Sequence, residues 1–144
     1  MSVTRKRKVP GRDTMVITLT IPPEIKEAIK RALDEEGFKY REGLEEEGEW
    51  VYETIEGSLI GEEYETLLAY CYWTSLDFAE CTISIYGEPV ASVELRSAEQ
   101  VQELRDRLRL AKRILDEVRR RARKSWAVSL KELLDDVMKE LDTR

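Results

Sequence analysis

The chain has 144 residues, 42% of them apolar and 38% charged, and its 24 Lys and Arg against 30 Asp and Glu give a net charge of −6. That length predicts one domain, or one with an appendage, and the apolar fraction is enough for a real core. No segment approaches the ~18 consecutive apolar residues of a membrane span, and the N-terminal region lacks the apolar stretch of a signal peptide, so a cytoplasmic protein is expected.

The charged fraction is well above the usual quarter, and Glu and Arg dominate it, as in the ion-pair-rich proteins of hyperthermophiles. Histidine is absent, which removes nucleophilic triads and most acid–base relays. No P-loop or G-x-G-x-x-G is present. An enzyme is therefore not expected, nor any cofactor. A carboxylate metal site among Glu45, Glu46, Glu47 and Glu49 competes with the plainer reading of a solvated charge run, so no metal is expected. Cys71 and Cys81 are too few for a disulfide framework or a structural zinc site. They read as buried thiols or as a bridge between neighbouring strands.

Charge is unevenly distributed. Residues 1–12 carry five positive charges and no negative ones, residues 13–104 six positive and 22 negative, and residues 105–124 ten positive and three negative. An acidic body is flanked by two basic segments.

In chain order, residues 1–13 (MSVTRKRKVPGRD) show no periodicity, are broken by Pro10 and Gly11, and predict a mobile basic arm. Met15–Ile21 is β-branched and predicts a strand. Pro22 and Pro23 end it and open a helix with Ile25, Ala28, Ile29, Ala32 and Leu33 on one stripe, stopped by Gly37. Residues 42–49 (EGLEEEGE) predict a charged loop. Residues 50–60 predict a strand with Trp50, Tyr52 and Thr54 on one face and Val51 and Ile55 on the other.

Residues 64–73 fit either a helix, with Tyr64, Leu67, Leu68 and Cys71 on a stripe, or a strand. As a strand, Leu68, Tyr70 and Tyr72 oppose Leu67, Ala69, Cys71 and Trp73, and the aromatic density favours it. Residues 81–95 predict a hairpin turning at Gly87 to Pro89. The expected sheet is an antiparallel meander of three or four strands between Trp50 and Leu95. Ser97 and Gln100 form a capping box. Behind it Val101, Leu104, Leu108, Ala111, Leu115, Val118 and Ala122 repeat at the heptad spacing of a leucine-zipper-like helix. Leu130, Leu133, Leu134, Val137, Met138 and Leu141 predict a shorter amphipathic helix.

The expected class is α+β: an antiparallel meander, a short N-terminal helix packed on it and a long C-terminal heptad helix. Residues 1–13 would be the arm, 14–96 the α+β nucleic-acid-binding domain and 97–144 a helical oligomerisation region. The heptad seam can pack on the chain's own sheet or on a second copy, and self-association through Val101, Leu104, Leu108, Ala111, Leu115 and Val118 is the expectation. The basic run from Arg105 to Lys124 is expected to make ion pairs along and between helices.

Aromatic density on alternating strands cannot all be hidden in a core, so a wet, partly aromatic face is expected. Aromatic rings that stack on bases, together with cations that track phosphates, hold single-stranded nucleic acid. Trp50, Tyr52, Tyr70 and Tyr72 are the candidate stackers, and Arg5, Lys6, Arg7, Lys8, Arg12, Lys39 and Arg41 the candidate cations. The −16 body opposes this unless its acid lies on another face.

The stretches EYETLLAYCYW and AECTISIYGEPVASVEL, with the heptad helix after Ser97, resemble in organisation the ThermoDBP single-stranded DNA-binding proteins of hyperthermophilic archaea and their relatives, over residues 15–125. The resemblance implies a homodimer or homotetramer built through the long helix, and a hydrophobic cleft flanked by basic residues that takes single-stranded DNA, or RNA. A second resemblance, of VITLTIPPEIKEAIKRALDEEG to the opening of a ribbon-helix-helix repressor, implies a duplex DNA reader using Thr18 and Thr20. It requires a second helix directly after Gly37. The third reading is a pure assembly or adaptor protein whose aromatics are core.

Overall fold

A computed structural model of the chain describes residues 3–8, 15–122 and 129–142. Among these residues seven strands form one sheet: β1 (Val3–Lys8), β2 (Met15–Thr20), β3 (Phe38–Glu47), β4 (Trp50–Leu59), β5 (Leu67–Trp73), β6 (Ala79–Ile85) and β7 (Glu88–Leu95). Three helices, α1 (Pro23–Glu35), α2 (Val101–Ala122) and α3 (Leu130–Asp142), complete a mixed α+β architecture, the class expected.

Strands β3 to β7 pair consecutively and antiparallel. Strand β2 joins them parallel to β4, Ile17 opposite Trp50 and Leu19 opposite Tyr52. Because β3 runs along the whole of β4, β2 and β5 share the other edge of β4, β2 at Trp50–Tyr52 and β5 at Thr54–Ser58.

Two expected irregular segments are strands. Val3–Lys8, expected as a mobile arm, pairs antiparallel with β2 from Val3↔Thr20 to Lys8↔Met15. Ladder pairing uses main-chain groups and needs no apolar pattern, and a charged edge strand discourages further pairing. Arg12 lies outside the described residues. Residues 42–49, expected as a loop, are mostly the second half of β3, turning into β4 at Gly48, whose φ of 61° suits glycine. Past Phe38 every β3 residue is exposed, so no hydrophobic alternation marks the strand in the sequence. A strand here also removes the ribbon-helix-helix reading, which requires a helix after Gly37, and Thr18 is buried rather than free to read bases.

Strand β5 settles the ambiguous segment. Leu67, Ala69, Cys71 and Trp73 are buried while Leu68, Tyr70 and Tyr72 are half-buried on the opposite face. The β6–β7 turn falls at Tyr86–Gly87, one residue earlier than expected. Both residues have positive φ (49° and 85°), the twist a two-residue hairpin prefers. Pro89 sits beyond it on the edge strand, where the register slips by a bulge and no ladder donor is missed.

All three helices cover one face of the sheet. Helix α1 buries Ile25, Ile29, Ala32 and Leu33. Gly57 of β4 lets it approach closely, since a Cβ there would meet Leu33 Cδ2 at 2.9 Å. Helix α2 starts where expected: Gln100 Oε1 accepts from the Arg96 and Ser97 amides at 2.5 and 3.3 Å. The heptad seam is used inside the protomer. Leu104, Leu108, Ala111, Leu115 and Val118 are at most 2% exposed, Val101 is half-buried, and all join one core with the sheet and with Leu133, Leu134 and Val137 of α3. The residues expected to seat a second copy are thus packed within the protomer, and one core spans both sides of Ser97.

The basic face of α2 makes the expected ion pairs. Arg105 meets Glu35 at 2.8 Å, Arg109 and Lys112 meet Glu36 at 3.0 and 3.3 Å, and Arg119 meets Glu62 at 2.5 Å. Arg121 bridges Glu117 and Glu140. Cys71 and Cys81 are directly opposed in the ladder, 4.1 Å apart at Cα, and form a disulfide buried under the helices.

Candidate binding cup on the open sheet face

Among the described residues the other face of the sheet carries no helix, and ladder register decides what stands on it. Residues opposite one another share a face. Glu45 is opposite Tyr52, Glu47 opposite Trp50, Gly43 opposite Thr54, Thr54 opposite Tyr72, and Tyr72 opposite Glu80. The acidic run of β3 is split by the same alternation. Glu42 turns to the helix side and pairs with Lys26 and Lys30 of α1, each at 3.1 Å. Glu45 and Glu47 turn to the open side.

There they meet the tyrosines in a cup of about 580 Å³. Its floor and ends are Glu45, Glu47, Tyr52, Tyr70, Tyr72 and Glu80, and one wall is the β5–β6 loop with Thr74, Ser75, Leu76 and Phe78. Among the described residues no Lys or Arg lines it. The Tyr52 and Tyr72 rings meet edge to face at 5.7 Å, and Tyr70 lies tilted against Tyr72 at 6.1 Å.

Both phenols on β5 are tied down. Tyr72 Oη donates to Glu80 Oε2 at 2.7 Å, and Tyr70 Oη donates to Glu45 Oε2 at 3.2 Å. Tyr70 reaches from β5 to β3 because the two positions between them are small, Thr54 and Gly43. Both hydroxyls are pushed up to about 12. For Tyr70 the cause is first burial and then the Glu45 charge; for Tyr72 it is first the hydrogen bond to Glu80 and then burial. They are neutral donors that hold the rings in place, and ring faces and carboxylate oxygens are left for a ligand.

The wall is ordered by its own backbone. The Thr74 amide donates to Phe78 O at 2.9 Å, and the Leu76 amide to Thr74 Oγ1 at 3.1 Å. Leu76 is nonetheless 70% exposed, an apolar side chain held out at the rim. Arg96 stacks over the Phe78 ring at 4.8 Å and pairs with Glu94.

Of the predicted stackers, Tyr52, Tyr70 and Tyr72 converge. Trp50 stands on the same face but is half-buried against the core and does not line the cup. The predicted cations are elsewhere. Lys39 and Arg41 line a second recess of about 240 Å³ with Tyr40, Glu56, Ser58 and Tyr64. Arg41 is engaged there with Glu56 at 2.9 Å and over the Tyr64 ring at 5.5 Å. Lys39 makes no ion pair among the described residues. Arg5, Lys6, Arg7 and Lys8 belong to β1, three strands from β5 in the sheet order.

Sequence reading missed the acid of the cup. Glu45, Glu47 and Glu80 carry no motif, and only the register that sets β3 beside β4 and β6 beside β5 puts them against the tyrosines. Among the described residues no three His, Cys, Asp or Glu side chains are grouped as metal ligands, and no helix is long and apolar enough to cross a membrane.

Comparison with protein-family models, with curated proteins and with solved structures yields no match. The site's own chemistry therefore carries the functional reading.

Proposed function

We propose that this chain is a non-catalytic binding protein whose ligand sits in the tyrosine cup on the open sheet face and is positively charged. One observation carries the proposal: three tyrosine rings and three glutamates converge on a cavity that, among the described residues, no Lys or Arg lines. An aromatic face attracts a cation through its quadrupole, and carboxylates add direct charge attraction in a recess where water screens less. The volume lies within the range of small-molecule sites.

The test is isothermal titration of the full chain with butylammonium and tetramethylammonium chloride against a sodium chloride control, with tyrosine fluorescence as a second readout. Saturable binding that Tyr72→Ala abolishes supports the reading. Absence of saturable binding by any organic cation, to a folded chain, removes it.

A second reading, single-stranded DNA or RNA as the ThermoDBP resemblance implies, is favoured by the recess where Lys39 and Arg41 stand beside Tyr40 and Tyr64, and by the basic sequence of β1. It places nucleic acid along that recess and not in the cup, where phosphates would face Glu45, Glu47 and Glu80. Titration with a labelled single strand, the RNA of the same sequence and the duplex tests it. Salt-sensitive single-strand binding weakened by Lys39→Ala supports it, and equal indifference to all three removes it. Self-association through α2 is no part of either reading, because its apolar seam already faces the protomer's own sheet.

A further inference from the structure

We propose that the ligand of the cup is a linear oligoamine, two or more ammonium groups joined by short methylene linkers; this deepens the cation-binding reading and rests on it. The reason is the order of groups across the sheet. Acid stands at one end on β3 (Glu45 and Glu47), aromatic rings follow on β4 (Tyr52) and β5 (Tyr70 and Tyr72), and acid returns on β6 (Glu80). Strands lie about 4.8 Å apart, so the β3 and β6 backbones at the two ends are separated by about 14 Å.

A single ammonium can neutralise one end of this array. It leaves the other carboxylate facing an apolar ring without a counter-charge. A chain with ammonium groups at both ends meets both, and its methylenes lie across Tyr52 and Tyr72 and under Leu76. The exposed Leu76 side chain then gains an apolar neighbour, which water does not supply.

The carboxylates suit this guest. Glu45 and Glu80 each have lone pairs to spare after accepting one phenol hydrogen bond, and an ammonium brings several donors. A basic peptide fits less well, because its backbone also needs partners. Strands β4, β5 and β6 are paired on both edges where they line the cup, so a peptide lying across them meets no open strand edge; among the described residues β3 pairs only with β4, and its outer edge lies beyond Glu45 and Glu47 at the end of the cup.

The test is titration calorimetry on the full chain with a ladder of amines: butylamine, 1,4-diaminobutane, a linear triamine and tetralysine. Affinity is expected to rise by about tenfold or more from the monoamine to the triamine, as a second contact becomes intramolecular. Glu80→Gln and the double change Glu45→Gln with Glu47→Gln should each remove most of that gain, weakening triamine binding by a larger factor than monoamine binding. Melting curves of the variants confirm that they are folded, and the ladder on the unaltered chain is decisive without them.

Equal affinity for the monoamine and the triamine overturns the oligoamine assignment and leaves the cation-binding reading standing. Tighter binding of tetralysine than of the triamine also overturns it, in favour of a basic protein partner. No binding by any amine overturns both.

Discussion

The two faces of strand β5 differ by a single step along the chain. Leu67, Ala69, Cys71 and Trp73 lie on the helix-covered face and are buried, while Leu68, Tyr70 and Tyr72 lie on the other face, where the two tyrosines line a cup with Glu45, Glu47 and Glu80. One face is closed by apolar contacts and a disulfide. The other is held by phenol–carboxylate hydrogen bonds and remains accessible. The core and the proposed binding cup thus lie on opposite sides of one strand, and changes on one side should leave the other largely intact.

The covered face should show the largest effects. Leu108→Ala empties a fully buried position beneath the sheet and is expected to lower unfolding free energy by about 3–5 kcal/mol, read by urea titration. Amine affinity of the fraction still folded should not change. Loss of affinity in step with stability would show that the two faces are not independent.

Removing the disulfide comes next. Cys71→Ser with Cys81→Ser opens a short loop and should cost about 2–4 kcal/mol, measured as the difference in melting from the oxidised chain. The pair stands on the covered face between the positions that set Tyr70, Tyr72 and Glu80 in register. A drop in cup affinity larger than the drop in folded fraction would mean that the bridge also positions the cup.

Glu36 sharpens the comparison from the side of charge. It is 8% exposed and joins the end of α1 to α2 through Arg109 and Lys112. The hydrogen bond from Arg109, then that from Lys112, holds its carboxyl below the usual range. A depressed folded pKa contributes stability that is present above the ordinary carboxylate pKa and is lost as pH falls through the folded value. Glu36→Gln is expected to cost roughly 1.5–3 kcal/mol at neutral pH and to flatten the acid limb of the stability curve. An unchanged acid limb would assign that limb to other carboxylates.

The open face should give the smallest stability effects and the clearest binding ones. Tyr72→Phe keeps the ring and removes the tie to Glu80. It is expected to cost about 1 kcal/mol while weakening amine binding several-fold. Both β5 phenols titrate near 12 in the folded chain. Above pH 10 the unfolded chain gives up these protons first, so stability should fall between pH 10 and about 12, and less steeply in Tyr70→Phe with Tyr72→Phe. The same fall in the double variant would place its origin elsewhere.

Much of the covered face was legible in advance. The α1 stripe, the alternation of β5 and β6 and the start of α2 all follow from local periodicity, because burial imposes it. The three converging tyrosines were legible too, as the set that alternation leaves outside. What failed had no periodicity to read. β3 buries little but Phe38, and β1 is a run of cations, and both are strands only because another strand supplies ladder partners. The heptad of α2 left two uses open: a narrow apolar stripe fits a partner helix or a sheet equally well, and only the structure shows it against the protomer's own sheet.

Thus the chain by itself determined its α+β class, most of its core and the presence of aromatics left over from that core. Only the tertiary structure decided what the aromatics face. Cross-strand register set Glu45, Glu47 and Glu80 against Tyr52, Tyr70 and Tyr72 and placed Lys39 and Arg41 in a different recess. Register is a relation between segments distant along the chain, and it set the expected stacking rings among carboxylates rather than beside the expected cations.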